Sequence, residues 1–302
     1  MAKFLILGGL AWDRVIRLSG PVAPGARLAG EILPAGMSDP HPLAGRLGGG
    51  AANAAVALVK AGCAVAVAGV LSRDDAGRLV QAALAQAGVD MSLVQQTDSP
   101  SALTLILIDP SGERTIIGVQ PANGAPQDQS LAATRDRLSG AVARRLAAEP
   151  FCGVFLRAPI RVDIPAGILT IAHWAGGESL PAADVVVASS SDIGDPDPGA
   201  AFRRVREVSG PRPRWLVLTH GAQGAFAFSD DRTVTAPGRH VLVKDATGAG
   251  DIFAAGLMQA LAARAGMEAA LNHACQWGAM AASLDGSAPL GAPDRAFRPY
   301  TD

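Results

Sequence analysis

The residues most suited to chemistry lie in the run Asp245-Ala246-Thr247-Gly248-Ala249-Gly250-Asp251. Gly248, Ala249 and Gly250 let backbone approach a ligand closely. The pattern after them, Phe253, Leu257 and Leu261, has helical spacing. Their N–H groups therefore fall at a helix N-terminus, where unpaired donors and the positive dipole end favour an anion. Asp251 falls in the first turn. There it can cap the helix, or accept a proton from a hydroxyl nucleophile beside the anion hole. A second glycine run, Leu47-Gly48-Gly49-Gly50, opens another helical pattern that carries Asn53 in its first turn. Gly48 and Gly49 offer bare backbone to a ligand. The Asn53 amide can donate to and accept from hydroxyls, or cap its helix.

These loops need a scaffold. The 302 residues are 49% hydrophobic and 18% charged, with a net charge of −1, which supports a large core and leaves no basic excess for nucleic acid or an anionic membrane. Ala51 to Leu71 is the longest apolar stretch, but Asn53, Lys60 and Ala61-Gly62 interrupt it, so it reads as helix then strand. Cys63, Cys152 and Cys275 show no metal-ligand or disulfide spacing and read as small buried hydrophobes of a cytoplasmic protein.

Strands are expected at 4–7, 64–70, 103–109, 153–156, 184–187, 215–219 and 225–228, with a further strand-like run at 241–244. Helices are expected at 51–61, 76–87, 129–148, 200–208, 249–264 and 268–283; the helix at 51–61 would bury Ala52, Ala55, Val56 and Val59 on one face. Continuous apolar strands alternating with helices predict an α/β fold, a doubly wound, mostly parallel sheet covered on both faces. Residues 15–47, rich in Gly and Pro, and 102–119, two strands about a turn at Asp109-Pro110-Ser111-Gly112, interrupt the alternation in the manner of a lid. No Walker P-loop is present, and Gly8-Gly9-Leu10-Ala11-Trp12-Asp13 lacks a dinucleotide fingerprint.

The DATGAGD run resembles the C-terminal signature of the ribokinase-like (PfkB) carbohydrate kinase family, with Ala246 where Thr is more usual. Leu47 to Leu58 resembles that family's N-terminal motif G-G-x-x-x-N-x-A. Smaller matches follow in family order: Gly8 with Asp13, Pro24-Gly25, Arg73 to Gly77 (with Ser72 where the family has Gly), Gly88-Val89-Asp90, and Val217-Leu218-Thr219-His220-Gly221-Ala222-Gln223-Gly224. The resemblance implies a single ribokinase-like α/β domain over 1–302, with a small β-rich lid from about 14–47 and 101–122. It implies ATP and Mg²⁺, admits a monovalent cation and a homodimer joined through the lid, and makes the acceptor a sugar or sugar-like molecule. Asp251, with the anion hole at Gly248, Ala249 and Gly250, would be catalytic. Asp13, Gly48, Gly49 and Asn53 would bind the acceptor, and Ser189, Thr219, Gly221, Gly224 and Asp245 the nucleotide.

Two departures from the pattern matter. Where the family carries N-x-x-E, this chain has Ser189-Ser190-Ser191-Asp192, so Asp192 would reach Mg²⁺ only through water. That change leaves open a non-catalytic, ligand-binding or regulatory member of the fold. Where ribokinase has a ribose-contacting Glu, this chain has Arg157, with Arg161 four residues on; the cation suits a phosphate or carboxylate on the substrate, or is simply solvated.

Overall fold

A computed structural model describes residues 1–32, 45–111, 114–119, 129–157, 162–194, 197–290 and 296–301. The chain opens with β1 (Lys3–Leu7), β2 (Ala11–Leu18), β3 (Gly30–Ile32) and β4 (Arg46–Gly48), then α1 (Gly50–Lys60), β5 (Ala64–Ser72), α2 (Asp75–Gln86) and β6 (Asp90–Thr97). β7 (Leu103–Ile108), β8 (Arg114–Val119) and α3 (Gln129–Ala148) lead to β9 (Gly153–Leu156), β10 (Leu169–His173), β11 (Val185–Ser189), the single-turn α4 (Ser190–Ile193) and α5 (Pro198–Ser209). The last third holds β12 (Trp215–Thr219), a 3-10 turn (Gly221–Gln223), β13 (Gly224–Phe228), β14 (Thr233–Pro237), α6 (Ala249–Ala262) and α7 (Met267–Ala282).

Nine strands form the main sheet in the order β14-β13-β12-β11-β10-β9-β1-β5-β6. All neighbours are parallel except β12/β13 and β13/β14. β1 shows why its sequence is uniformly apolar. Phe4 and Ile6 enter the core shared with α1, α6 and α7, while Leu5 and Leu7 enter the core shared with α3 and α5. The sheet is thus covered on both faces, the doubly wound arrangement expected. α1 departs from its expected one-sided pattern: every residue from Ala51 to Leu58 is buried, because the helix lies against α6 as well as the sheet.

A second, small sheet runs β3-β2-β7-β8, with β4 also paired to β2; only β2/β7 is parallel. Its strands fall within 14–47 and 101–122 save at the ends of β2 and β4, which begin at Ala11 and end at Gly48. The main-sheet strands β6, β10 and β14 were not expected. β6 is half polar, β10 has five residues, and β14 ends in Pro237 at the sheet edge, so none shows a strong apolar run. Conversely, Val241, Leu242 and Val243 form no strand; they sit in an exposed loop, Leu242 at 83%. Asp184 precedes β11 instead of starting it, and its carboxylate receives the Thr170 N–H at 2.8 Å. Cys63 and Cys275 are buried but Cys152 is exposed, contrary to expectation. Gly112, Ala158, Pro159 and Arg161 lie outside the described residues. No helix among the described residues is long and apolar enough to cross a membrane.

Candidate active site

Because the strands are parallel, β1, β9, β10, β11 and β12 all deliver their carboxyl ends to one edge of the main sheet, and α1 and α6 start there. Their N-terminal loops interlock. Gly49 caps α1 with φ 88°, and a Cβ on it would lie 2.5 Å from the Gly9 carbonyl oxygen. Gly248 caps α6 with φ 77°, and a Cβ there would lie 2.5 Å from the Asn53 amide nitrogen. Neither position tolerates a side chain.

This approach brings Asn53 to Asp251. The Asn53 Nδ2 donates to Asp251 Oδ2 at 3.0 Å, and Arg157 Nε donates to Oδ1 at 2.6 Å. Asp251, 7% exposed, is the third residue of α6, and neither it nor Asn53 caps its helix. The Asn53 Oδ1 is buried and has no partner among the described residues, an acceptor left over for a hydroxyl. In the α6 loop, the Ala249 N–H donates to the Ala246 carbonyl at 3.2 Å and the Ile252 N–H to that of Gly248 at 3.0 Å. The N–H groups of Gly248 and Gly250 stand outside those two bonds. Gly250 is exposed, and a Cβ on it would meet nothing within 4 Å. Of the three expected anion-hole donors, Ala249 is therefore spent on its own loop.

Asp13 enters from the small sheet, 5% exposed. In register, it faces Arg46 on β4 and Thr104 on β7. Burial pushes its carboxyl up to about 6, against the opposing effects of Arg46 and of a hydrogen bond from Thr104, while Asp245 adds to the rise. Gly48 does not present open backbone: a Cβ there would lie 1.8 Å from Asp13 Oδ2, so the carboxylate occupies the space the glycine leaves. Arg46 also donates to Asp245. Burial acts upward on the Asp245 carboxyl, but Arg46 and the Thr247 side chain and N–H hold it below its ordinary value. Asp245 is 4% exposed and takes the Thr247 N–H at 2.8 Å, so it braces the loop.

Further along the edge, Ser189 and Thr219 are partners across β11 and β12. Ser189 Oγ lies 2.7 Å from Ser191 Oγ, and Ser190 Oγ donates to the Thr219 carbonyl at 3.2 Å. Gly221 (φ 54°) is exposed at the 3-10 turn. Gly224 is buried, its Cβ position 2.1 Å from the Ala236 carbonyl oxygen, so it serves the β13/β14 hairpin. Asp192 is exposed on α4. His173 sits between these groups: burial, then Arg157, push its imidazole down to about 4, opposed by Asp251 and Asp192. Among the described residues no three His, Cys, Asp or Glu side chains group around a metal position. The donor set, Asp192 with serine hydroxyls, fits a hydrated Mg²⁺ carried on nucleotide phosphates and not a protein cage. A surface cleft between α1, α2 and the segment Phe297–Thr301 contains none of these residues.

Sequence reasoning missed Arg46, Thr104 and His173. Only Arg46, two residues before the glycine run, had a positional hint.

The pfkB family carbohydrate kinase model matches residues 36–294. An ATP-dependent ribose-1-phosphate kinase of Halopiger xanaduensis is 28% identical over 319 aligned positions, covering 98% of each chain. A ribokinase of Haemophilus influenzae is 23% identical over 92% of this chain and 90% of its own. The solved ribokinase of Thermotoga maritima shares the fold, with TM-score 0.72 at 17% identity over 98% of this chain and 97% of that one. The motifs, the doubly wound sheet and the match over most of the length agree that the chain belongs to the pfkB family of carbohydrate kinases.

Proposed function

We propose that the enzyme transfers the γ-phosphoryl group of ATP to a hydroxyl of a sugar or sugar-like acceptor, with Asp251 as the base. The observation that carries this reading is the placement of a buried Asp251 carboxylate directly after a glycine loop with an open, exposed face at Gly250.

In this reading the acceptor lies between the main sheet and the small sheet, which acts as a lid. Asp13 and the free Asn53 oxygen receive its hydroxyl protons, and Asn53 holds Asp251 in place. Asp251 takes the proton of the reacting hydroxyl as its oxygen bonds to the γ-phosphorus. The bond from the γ-phosphorus to the β,γ-bridging oxygen breaks, and ADP leaves with that electron pair. The N–H groups of Gly248 and Gly250 face the charge on the transferring group. Thr219 and Gly221 border the nucleotide groove, with Ser189 beside them. When bound with the nucleotide, Mg²⁺ would neutralise phosphate charge, and Asp192 would hold it through its water shell. Closing the lid keeps water from the phosphoryl group. The names of the two relatives support a sugar acceptor, phosphorylated or not.

The Ser189–Asp192 departure favours a second reading, a member of the fold that binds sugar and nucleotide without turnover. A coupled ADP-release screen over sugars, sugar phosphates, sugar acids and nucleosides separates the two. The expected result is acceptor-dependent, Mg²⁺-dependent ADP release that falls at least about 10²-fold in Asp251→Asn with nucleotide binding retained. Near-wild-type turnover in that variant would remove Asp251 from the base role. The absence of ADP release with every acceptor on the panel would favour the second reading.

A further inference from the structure

Arg157 follows β9 directly and is fixed along its length. Its backbone N–H donates to the Leu7 carbonyl at 2.8 Å. Its stem lies in a berth made by two glycines. A Cβ on Gly8 would stand 2.9 Å from Arg157 Cβ, and a Cβ on Gly50 would stand 2.5 Å from Cγ and 2.7 Å from Nε. Nε is tied to Asp251 Oδ1 at 2.6 Å. The rest of the guanidinium is unspent: no partner among the described residues engages its two terminal amino groups, and the side chain is 34% exposed.

An arginine with a fixed stem and a free fork is unlike a solvated surface arginine. The ordering entropy of the side chain is already lost in the resting protein, so little remains to be lost on binding. The planar pair of amino groups matches two oxygens of a phosphate or carboxylate. The partly exposed side chain lies beside Gly50 at the start of α1 and Asp251 in the first turn of α6.

We propose that Arg157 grips an oxyanion group of the acceptor with its two terminal amino groups, so that the enzyme selects sugars bearing a negative charge at the end opposite the reacting hydroxyl. This rests on the kinase reading above, in which that hydroxyl lies at Asp251. The fork then acts as a spacer. The 2.6 Å hydrogen bond from Nε reaches the base and charge-assisted bonds from the terminal amino groups reach the anion, with the width of the guanidinium between them. A pentose whose anionic group and primary hydroxyl lie at opposite ends spans such a gap. A sugar phosphorylated on the reacting hydroxyl does not.

Calorimetric binding without nucleotide tests this independently of turnover, with ribose, ribose 1-phosphate and ribonate as probes. Wild-type protein is expected to bind at least one charged probe about 10-fold or more tighter than ribose. Arg157→Gln should bring the affinity for the charged probe to within about threefold of that variant's affinity for ribose. Arg157→Lys, a point charge without the fork, should retain part of the preference. Whichever charged probe wins identifies phosphate or carboxylate as the partner. No preference in wild type, or a preference that survives unchanged in both variants, overturns the proposal. ADP release with the same probes reports on the kinase reading separately. Arg157-dependent preference without ADP release removes the kinase and keeps the clamp; ADP release without that preference does the reverse.

Discussion

Replacing Gly48 with alanine tests whether the acceptor site is built on the approach of the small sheet to the α1 loop. Gly48 has no left-handed φ, so alanine brings contact and no backbone strain. Its Cβ would lie 1.8 Å from Asp13 Oδ2 and 2.4 Å from Cγ, where real contacts stop near 3.0 Å. The carboxylate must therefore shift by about 1.2 Å from its place between Arg46 and Thr104, its register partners on the two flanking strands. A misplacement of that size in a positioning group is worth roughly 10²-fold, or about 2.7 kcal/mol. We expect kcat/KM for the best acceptor, read by coupled ADP release, to fall by about that factor, mostly through the acceptor. Gly9→Ala, at the same rim but with nothing within 4 Å of its Cβ, should stay within about twofold of wild type. In an Asp13→Ala background the obstructed carboxylate is gone, so Gly48→Ala should then add little. A Gly48→Ala enzyme within about threefold of wild type, or losses that add in the double variant, would refute the reasoning.

Asp192→Ala should raise the Mg²⁺ requirement more than it raises KM for the acceptor, and Asp192→Glu should leave activity unchanged or higher; Mg²⁺ titrations that do not move in Asp192→Ala would remove that residue from the metal's water shell. Burial pushes the His273 imidazole from 6.5 down to about 4, so the neutral ring contributes stability present above pH 6.5 and lost as pH falls toward 4. Melting temperatures should fall over that window, and His273→Phe, which keeps a ring beside Trp277 and Tyr300, should blunt the fall; an unchanged pH profile would contradict the assignment.

What was legible in the sequence was local. A triple glycine before an apolar helix, and a glycine loop before an aspartate, announce their conformations within a few residues, and both helices begin within a residue or two of expectation. Strands buried on both faces, such as β1 and β9, were equally plain because nothing polar interrupts them. Pairings across the chain were not legible. Asn53 reads as a helix cap until α6 lies beside it. Arg46 shows its role only when Asp245 arrives from the other end of the sequence. Gly48 reads as a bare surface for a sugar, and only the paired sheets show that Asp13 fills it. Exposed apolar residues misled in the opposite direction: Val241–Val243 has strand composition but no sheet edge to join.

The interlocked helix starts also carry a consequence for biosynthesis. Asn53 and Asp251 are 198 residues apart, and Ser287 reaches back 240 residues to the Leu47 carbonyl. At ordinary translation rates of 5–20 residues per second, roughly 10–40 s separate the emergence of the two halves of the Asn53–Asp251 pair. During that interval α1, whose residues from Ala51 to Leu58 are all buried in the finished protein, lacks the helix that covers its outer face. The nascent chain therefore carries an uncovered apolar helix whose shielding arrives only with α6, which also delivers Asp251. Closure of that interval and assembly of the site are one event, so a ligand of the site can stabilise only chains in which α6 has joined α1.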